Sequence, residues 1–152
     1  MKYTSKNLKF KVKYETAGSV QIKSVKSIFF SRGELIVDTG EMFLRPESQK
    51  DVELLMASSY FDNYGCQIYE GDIIRNQFTK ELVVVKNVVG DQFVVYNPAC
   101  CRYCREEDGC IQPLKDFALS TGERGFTLEG NIFERYDLIE AQEMKRGHKH
   151  GN

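Results

Sequence analysis

From Leu8 to Tyr14 apolar and charged residues alternate strictly, with Leu8, Phe10, Val12 and Tyr14 on one side and Lys9, Lys11 and Lys13 on the other. A period of two is that of a strand with one buried face. Ala17-Gly18-Ser19 reads as a turn. The apolar run from Val20 to Phe30 then slips its parity between Ile22 and Val25, which predicts a bulge or two short elements. Ser31-Arg32-Gly33-Glu34 reverses the chain into Leu35 to Val37 as a hairpin, and Asp38-Thr39-Gly40 makes another turn before the short apolar patch Met42 to Leu44. Ser48, followed by Asp51 three residues on, has the spacing of a helix N-terminus, which favours a helix over a strand for Gln49 to Met56. Residues 57–66 read as a polar loop in which Asp62, Asn63 and Gly65 supply turn chemistry.

The hinge of the pattern is Gln67 to Ile74, where two apolar pairs flank Glu70-Gly71-Asp72 without spacers. Gly71 can take the positive φ of a tight turn, and the Asp72 carboxylate can accept from backbone N–H groups of that turn, so that Ile73 and Ile74 start a strand. Leu82 to Val85, Val88-Val89 and Phe93 to Tyr96 follow as short β-branched runs, with Gly90-Asp91 as a turn. Tight turns between consecutive strands favour an antiparallel meander that curls. Residues 99–110 read as a protruding loop, Leu114, Phe117 and Leu119 as a brief helical turn or strand, and Phe126 with Leu128 as a further strand. The chain then passes Gly130-Asn131 to close on Leu138-Ile139. The fold class expected is mainly β, a small barrel-like or curled antiparallel sheet with an N-terminal β region packed on it. One domain is expected over residues 1–140, with 1–53 as the N-terminal strand region and 54–140 as the core, followed by a disordered tail at 141–152.

A chain of 152 residues with 41% hydrophobic and 12% aromatic residues can bury a core without crosslinks. Residues 1–30 hold seven Lys and one Glu, a balance of +6, which leaves −7 for the remainder. Such asymmetry can steer a partner or dock one part of the chain on another. The first dozen residues lack an apolar export segment and no apolar run approaches a membrane span, so the expectation is a cytoplasmic protein, in the cytoplasm of a host cell. Five cysteines in that compartment read as free thiols or metal ligands.

Among residues that could carry chemistry, Cys101 and Cys104 have the spacing with which two thiolates hold one zinc, and Cys110 can supply a third ligand. A fourth is poorly provided by Cys100, Cys66, His148 or His150, and free thiols on a loop are the plainer reading, with no metal or cofactor expected. Both histidines lie in the terminal tail, so no Cys or Ser of the body has a histidine base from the folded region. Glu70 with Asp72 is one example of a carboxylate pair on which an enzyme could draw, although residues flanking a turn glycine ordinarily hold the turn. Lys9, Lys11 and Lys13 suit nucleic-acid phosphates, and equally suit an exposed edge strand that must avoid pairing with other chains.

Leu55-Met56, Asp62-Asn63-Tyr64-Gly65, Ile68-Tyr69-Glu70-Gly71-Asp72-Ile73 and Gly130-Asn131-Ile132-Phe133-Glu134 before Leu138 occur in an order that resembles the YopX family of phage and prophage proteins. The resemblance spans roughly residues 54–140. It departs at Ala57-Ser58-Ser59, where the family tends to a Thr-Gly step, and near Tyr136-Asp137, where it tends to Pro-Glu. It implies a β-rich barrel-like domain of phage or integrated-element origin and carries no established activity. The expectation is therefore a non-enzymatic phage accessory protein that binds an unidentified protein partner. The rivals are a nucleic-acid-binding module using the N-terminal strand and an enzyme with a carboxylate site. The cluster Ile28, Phe29, Phe30, Leu35 and Ile36 further predicts a homo-oligomer formed through the N-terminal region.

Overall fold

The structure, a computed structural model, describes residues 2–4, 9–89, 92–98 and 111–142. The fold is mainly β. The chain separates into two compact units, Met1–Ala57 and Ser58–Asn152.

The first unit contains β1 (Lys2–Thr4), β2 (Phe10–Thr16), β3 (Ser19–Ser24), β4 (Ser27–Ser31), β5 (Glu34–Asp38), β6 (Phe43–Leu44) and the start of β7 (Glu53–Phe61). Strands β1-β4-β5-β6 form one antiparallel sheet, and β2 lies between β3 and β7 in another. The slipped parity after Ile22 resolves into two strands, β3 and β4. Arg32 (φ 53) and Gly33 (φ 79) form the two-residue turn of the expected β4–β5 hairpin, whose mirror-image geometry matches the twist of its strands. Val12 and Tyr14 of β2 join Val25, Ile28, Val37, Leu44 and Val52 in one core. Each such aliphatic side chain removed from water contributes on the order of 2 kcal/mol.

Two expectations fail here for physical reasons. No helix forms over Gln49 to Met56: the Ser48 hydroxyl donates to Glu34 rather than to the N–H of a nascent helix, Arg45 pairs with the same carboxylate at 2.8 Å, and from Glu53 the chain is extended as β7. The Ser48 hydroxyl, with help from Arg45, holds the Glu34 carboxyl below its ordinary range. The lysine row does not guard an edge either, because β2 is flanked on both sides and Lys13 sits opposite Glu53 at 3.2 Å.

In the second unit the remainder of β7 is followed by β8 (Gln67–Tyr69), β9 (Asp72–Asn76), β10 (Leu82–Val89), β11 (Gln92–Tyr96), β12 (Ile111–Pro113), α1 (Leu114–Ser120), a single 3-10 turn (Gly122–Arg124), β13 (Phe126–Asn131) and a helix, α2, over residues 136–142. The expected polar loop at 57–66 begins later than predicted, since Ala57 to Phe61 continue β7, where the buried Ser58 hydroxyl donates to the Ile68 carbonyl at 2.8 Å. The curled antiparallel sheet runs β12-β11-β10-β9-β13. The runs 82–85 and 88–89 belong to one strand, with a register shift between Asn87 and Val89. Ile73, Leu82 and Val84 form a core closed by Ile139 of α2, and the alternate residues Ile74, Val83 and Val85 are buried as well. The fold continues past the boundary expected at 140, because the Gln142 side-chain amide both donates to the Leu82 carbonyl and accepts from the Leu82 N–H. Residues 143–152, with His148 and His150, lie outside the described residues.

Candidate functional site

The turn at Glu70-Gly71-Asp72 is built as its sequence predicts. Gly71 has φ 88, and the buried Asp72 carboxylate accepts from the Tyr69 N–H at 2.7 Å. Burial and the neighbouring Asp72 charge push the Tyr69 phenol upward, so it stays neutral. The turn is gripped from two sides: the Gly71 N–H donates to the Val85 carbonyl of β10 at 2.7 Å, and the Gly71 carbonyl accepts from the N–H of Ile132, just past β13, at 2.9 Å. Asp72 stands opposite Asn131 and Ile73 opposite Gly130, so the hinge and the late Gly-Asn-Ile segment are neighbours in one sheet.

The Asp62-Asn63-Tyr64-Gly65 loop is fastened to the same sheet. Asp62 Oδ1 accepts from the N–H groups of Tyr64 (2.9 Å) and Cys66 (2.8 Å), while Oδ2 accepts from Leu128 N–H at 2.9 Å. Burial acts to raise the pKa of this carboxyl; the N–H groups of Leu128, Cys66 and Tyr64 outweigh it, and the net shift is downward. Asn63 donates from its backbone to Phe126 and from its side chain to the Arg124 carbonyl. It lies so close to Gly125 that a Cβ there would collide with its side-chain oxygen. Leu128 N–H and the Phe126 carbonyl belong to the outer edge of β13, so Asp62 and Asn63 occupy positions where another strand would pair.

Asp62, Asn63 and Gly65 thus shape the loop, and Tyr64 between them presents its ring to solvent at 82% exposure. Asn76 organises a second projection: its side-chain oxygen accepts from Phe78 and Thr79 N–H, and Lys80 at φ 68 returns its N–H to the Asn76 carbonyl. Phe78 is left 63% exposed with the Arg124 guanidinium 5.6 Å from its ring centroid. Tyr64, Lys80 and Arg124 border an open depression of about 580 Å³. Its polar lining is internally satisfied, with Gln77 donating to Thr127 at 2.6 Å, Lys80 donating to Gln77 at 2.8 Å, and Glu129 paired with Arg75 at 3.1 Å.

Of the residues singled out in the sequence, Asp72 holds its turn, Glu70 lies beside it in the turn, and Cys66 is an exposed free thiol. Cys100, Cys101, Cys104 and Cys110 lie outside the described residues. Among the described residues no group of three or more His, Cys, Asp or Glu side chains is placed to hold a metal. Lys9, Lys11 and Lys13 lie in the first unit, apart in sequence from the depression. The depression itself was not read from the sequence. Its available signal was Asn76 two residues before an unpatterned Phe78, the mark of a turn that pushes an aromatic outward.

In fold the chain is similar to protein EF1440 from Enterococcus faecalis, with a TM-score of 0.51, 15% identity, and coverage of 86% of this chain and 96% of that one. No protein-family model and no curated protein matches the chain. Among the described residues no helix is long and apolar enough to cross a membrane.

Proposed function

We propose that this is a non-enzymatic binding protein, a phage or prophage accessory factor acting in the host cytoplasm, whose partner docks on the depression between Tyr64, Lys80 and Arg124. The observation that carries the reading is Tyr64: a large aromatic ring held in water by a loop whose backbone is fixed by Asp62. Exposed aromatics on preorganised backbone suit recognition because little side-chain freedom is lost on contact. The phage assignment is supported by the ordered segments that resemble the YopX family. The carboxylate-enzyme reading is weakened by Asp72, which is buried and bonded to its own turn. The N-terminal lysine reading is weakened by the pairing of Lys13 with Glu53.

A photo-crosslinking amino acid at position 64 tests the proposal. Capture of a defined partner in cells is expected from position 64 and not from the exposed position 50, with competition by unlabelled protein and loss on Arg124→Glu. Equal capture from both positions refutes it. Tyr64→Ala should also leave stability within about 0.5 kcal/mol of the parent, as at other solvent-facing positions, which thermal unfolding can check.

Self-association through the N-terminal region is part of the same proposal, on a narrower basis than the sequence suggested. Ile28 and Ile36 are buried, Phe29 and Leu35 are half-buried, and Phe30 (58%) and Phe43 (63%) stay exposed. Light scattering is expected to give a multiple of the 17.5 kDa chain mass that Phe30→Ser reduces. A monomeric parent refutes self-association.

A further inference from the structure

We infer that the partner of the depression is single-stranded nucleic acid, an inference that rests on the depression being the binding surface. Two flat rings project into solvent from turns fixed by Asp62 and Asn76: Tyr64, which lines the depression, and Phe78, which lies outside that lining beside Arg124. Rings so placed offer stacking faces, and stacking tolerates any base because every base has a π-face. Cations accompany them. The Arg124 guanidinium lies 5.6 Å from the Phe78 centroid, and Lys80 borders the same depression. The lining carries two cations, Lys80 and Arg124, against one carboxylate, Glu129, which is matched by Arg75 at 3.1 Å, so its charge balance is positive. This occurs in a part of the chain, residues 31–152, whose overall balance is −7. Phosphates are drawn to such a local excess.

The neighbouring sheet edge argues against an extended peptide. A peptide adding as a strand needs free N–H and C=O groups. At β13 the Leu128 N–H is taken by Asp62 and the Phe126 carbonyl by Asn63 N–H. The lining is also dominated by polar groups, Asn63, Gln77, Thr127 and Glu129 among them, rather than by the apolar pockets that anchor peptide side chains. Duplex is excluded by a different feature: its bases are stacked on each other and turn no face toward Tyr64 or Phe78.

Fluorescence anisotropy of the full chain with a labelled oligo(dT) of about twelve nucleotides, a length within the span of single-strand binding sites, tests the inference, with a duplex of equal length as competitor. The single strand is expected to bind in preference to duplex and to weaken between about 50 and 200 mM salt. Tyr64→Ala and Phe78→Ala are each expected to lower affinity roughly tenfold, the size of one lost base–aromatic stack. Arg124→Glu should lower both affinity and salt dependence. Both rings are exposed, and an unchanged melting temperature verifies that these variants fold.

Failure of the single strand to bind at low salt overturns the inference, as does equal binding of duplex. Binding that survives Tyr64→Ala and Arg124→Glu overturns it too, and loss on replacing Lys9, Lys11 and Lys13 by Glu would then place the contact on β2. If the oligonucleotide fails while position 64 still crosslinks to a protein, the nucleic-acid inference falls and the binding-protein reading stands. If neither is captured, both fall.

Discussion

Gly71→Val is expected to destabilise the protein by about 4 kcal/mol, roughly half from forcing a branched residue to positive φ and half from overpacking. The strain follows from φ 88 at this position. The overpacking follows from the ring of Phe133, whose Cε2 atom would stand 2.5 Å from a Cβ at residue 71. The glycine cannot shift away, because its N–H is bonded to Val85 and its carbonyl to Ile132. For a chain of this size the loss corresponds to a fall of about 10 °C in melting temperature. Adding Phe133→Ala separates the two contributions: the double variant should lose the overlap with the ring and keep the strain, giving coupling between the sites in a double-mutant cycle. Parental melting of Gly71→Val would show that the turn is not held as described.

Asp62→Ala is expected to cost about 3 kcal/mol, since it strips a charged acceptor from three backbone N–H groups. Two of those groups shape the 62–66 loop and the third lies on the outer edge of β13. The effect should depend on pH with a definite sign. The folded carboxyl titrates below its ordinary value of 3.8, so its contribution is present above that value and is lost as pH falls through the folded one. The stability gap between the parent and Asp62→Asn, measured by urea unfolding, should therefore be constant near neutrality and shrink in acid below about pH 4. A gap that widens in acid would reverse the assignment. The same substitution should weaken partner capture at position 64 by releasing the backbone of that residue, whereas Tyr64→Ala should weaken partner binding without loss of stability.

The sheet was legible wherever local chemistry and burial agreed. Gly71 and Asp72 announce their turn, Arg32-Gly33 its hairpin, and the runs Ile73-Ile74 and Leu82 to Val85 the strands buried on both sides. Sequence reading failed where a distant partner decided the outcome. Ser48 has the spacing of a helix cap, but Glu34, fourteen residues earlier, takes its hydroxyl. Ala57 to Phe61 look polar enough for a loop, but Ser58 satisfies its hydroxyl on Ile68 and the strand continues. The lysine row is visible in sequence, yet its neighbours on both sides are fixed by β3 and β7, which alternation alone does not reveal. The depression was the least legible feature, because Tyr64, Lys80 and Arg124 come from three separate turns that only the curled sheet brings together.

The Asp62, Gly71 and Gly130 segments form one structural frame, and on the proposed reading recognition falls to the side chains projecting from it. Native-state hydrogen exchange of the full chain, read at the amides of Tyr69, Leu128 and Ile132, tests this most directly. These N–H groups bond to Asp72, Asp62 and Gly71 respectively. The frame predicts that all three exchange only through global opening, with protection matching the unfolding free energy. Exchange of any of them at the rate of a fraying loop, while the amides of β10 stay protected, would contradict it.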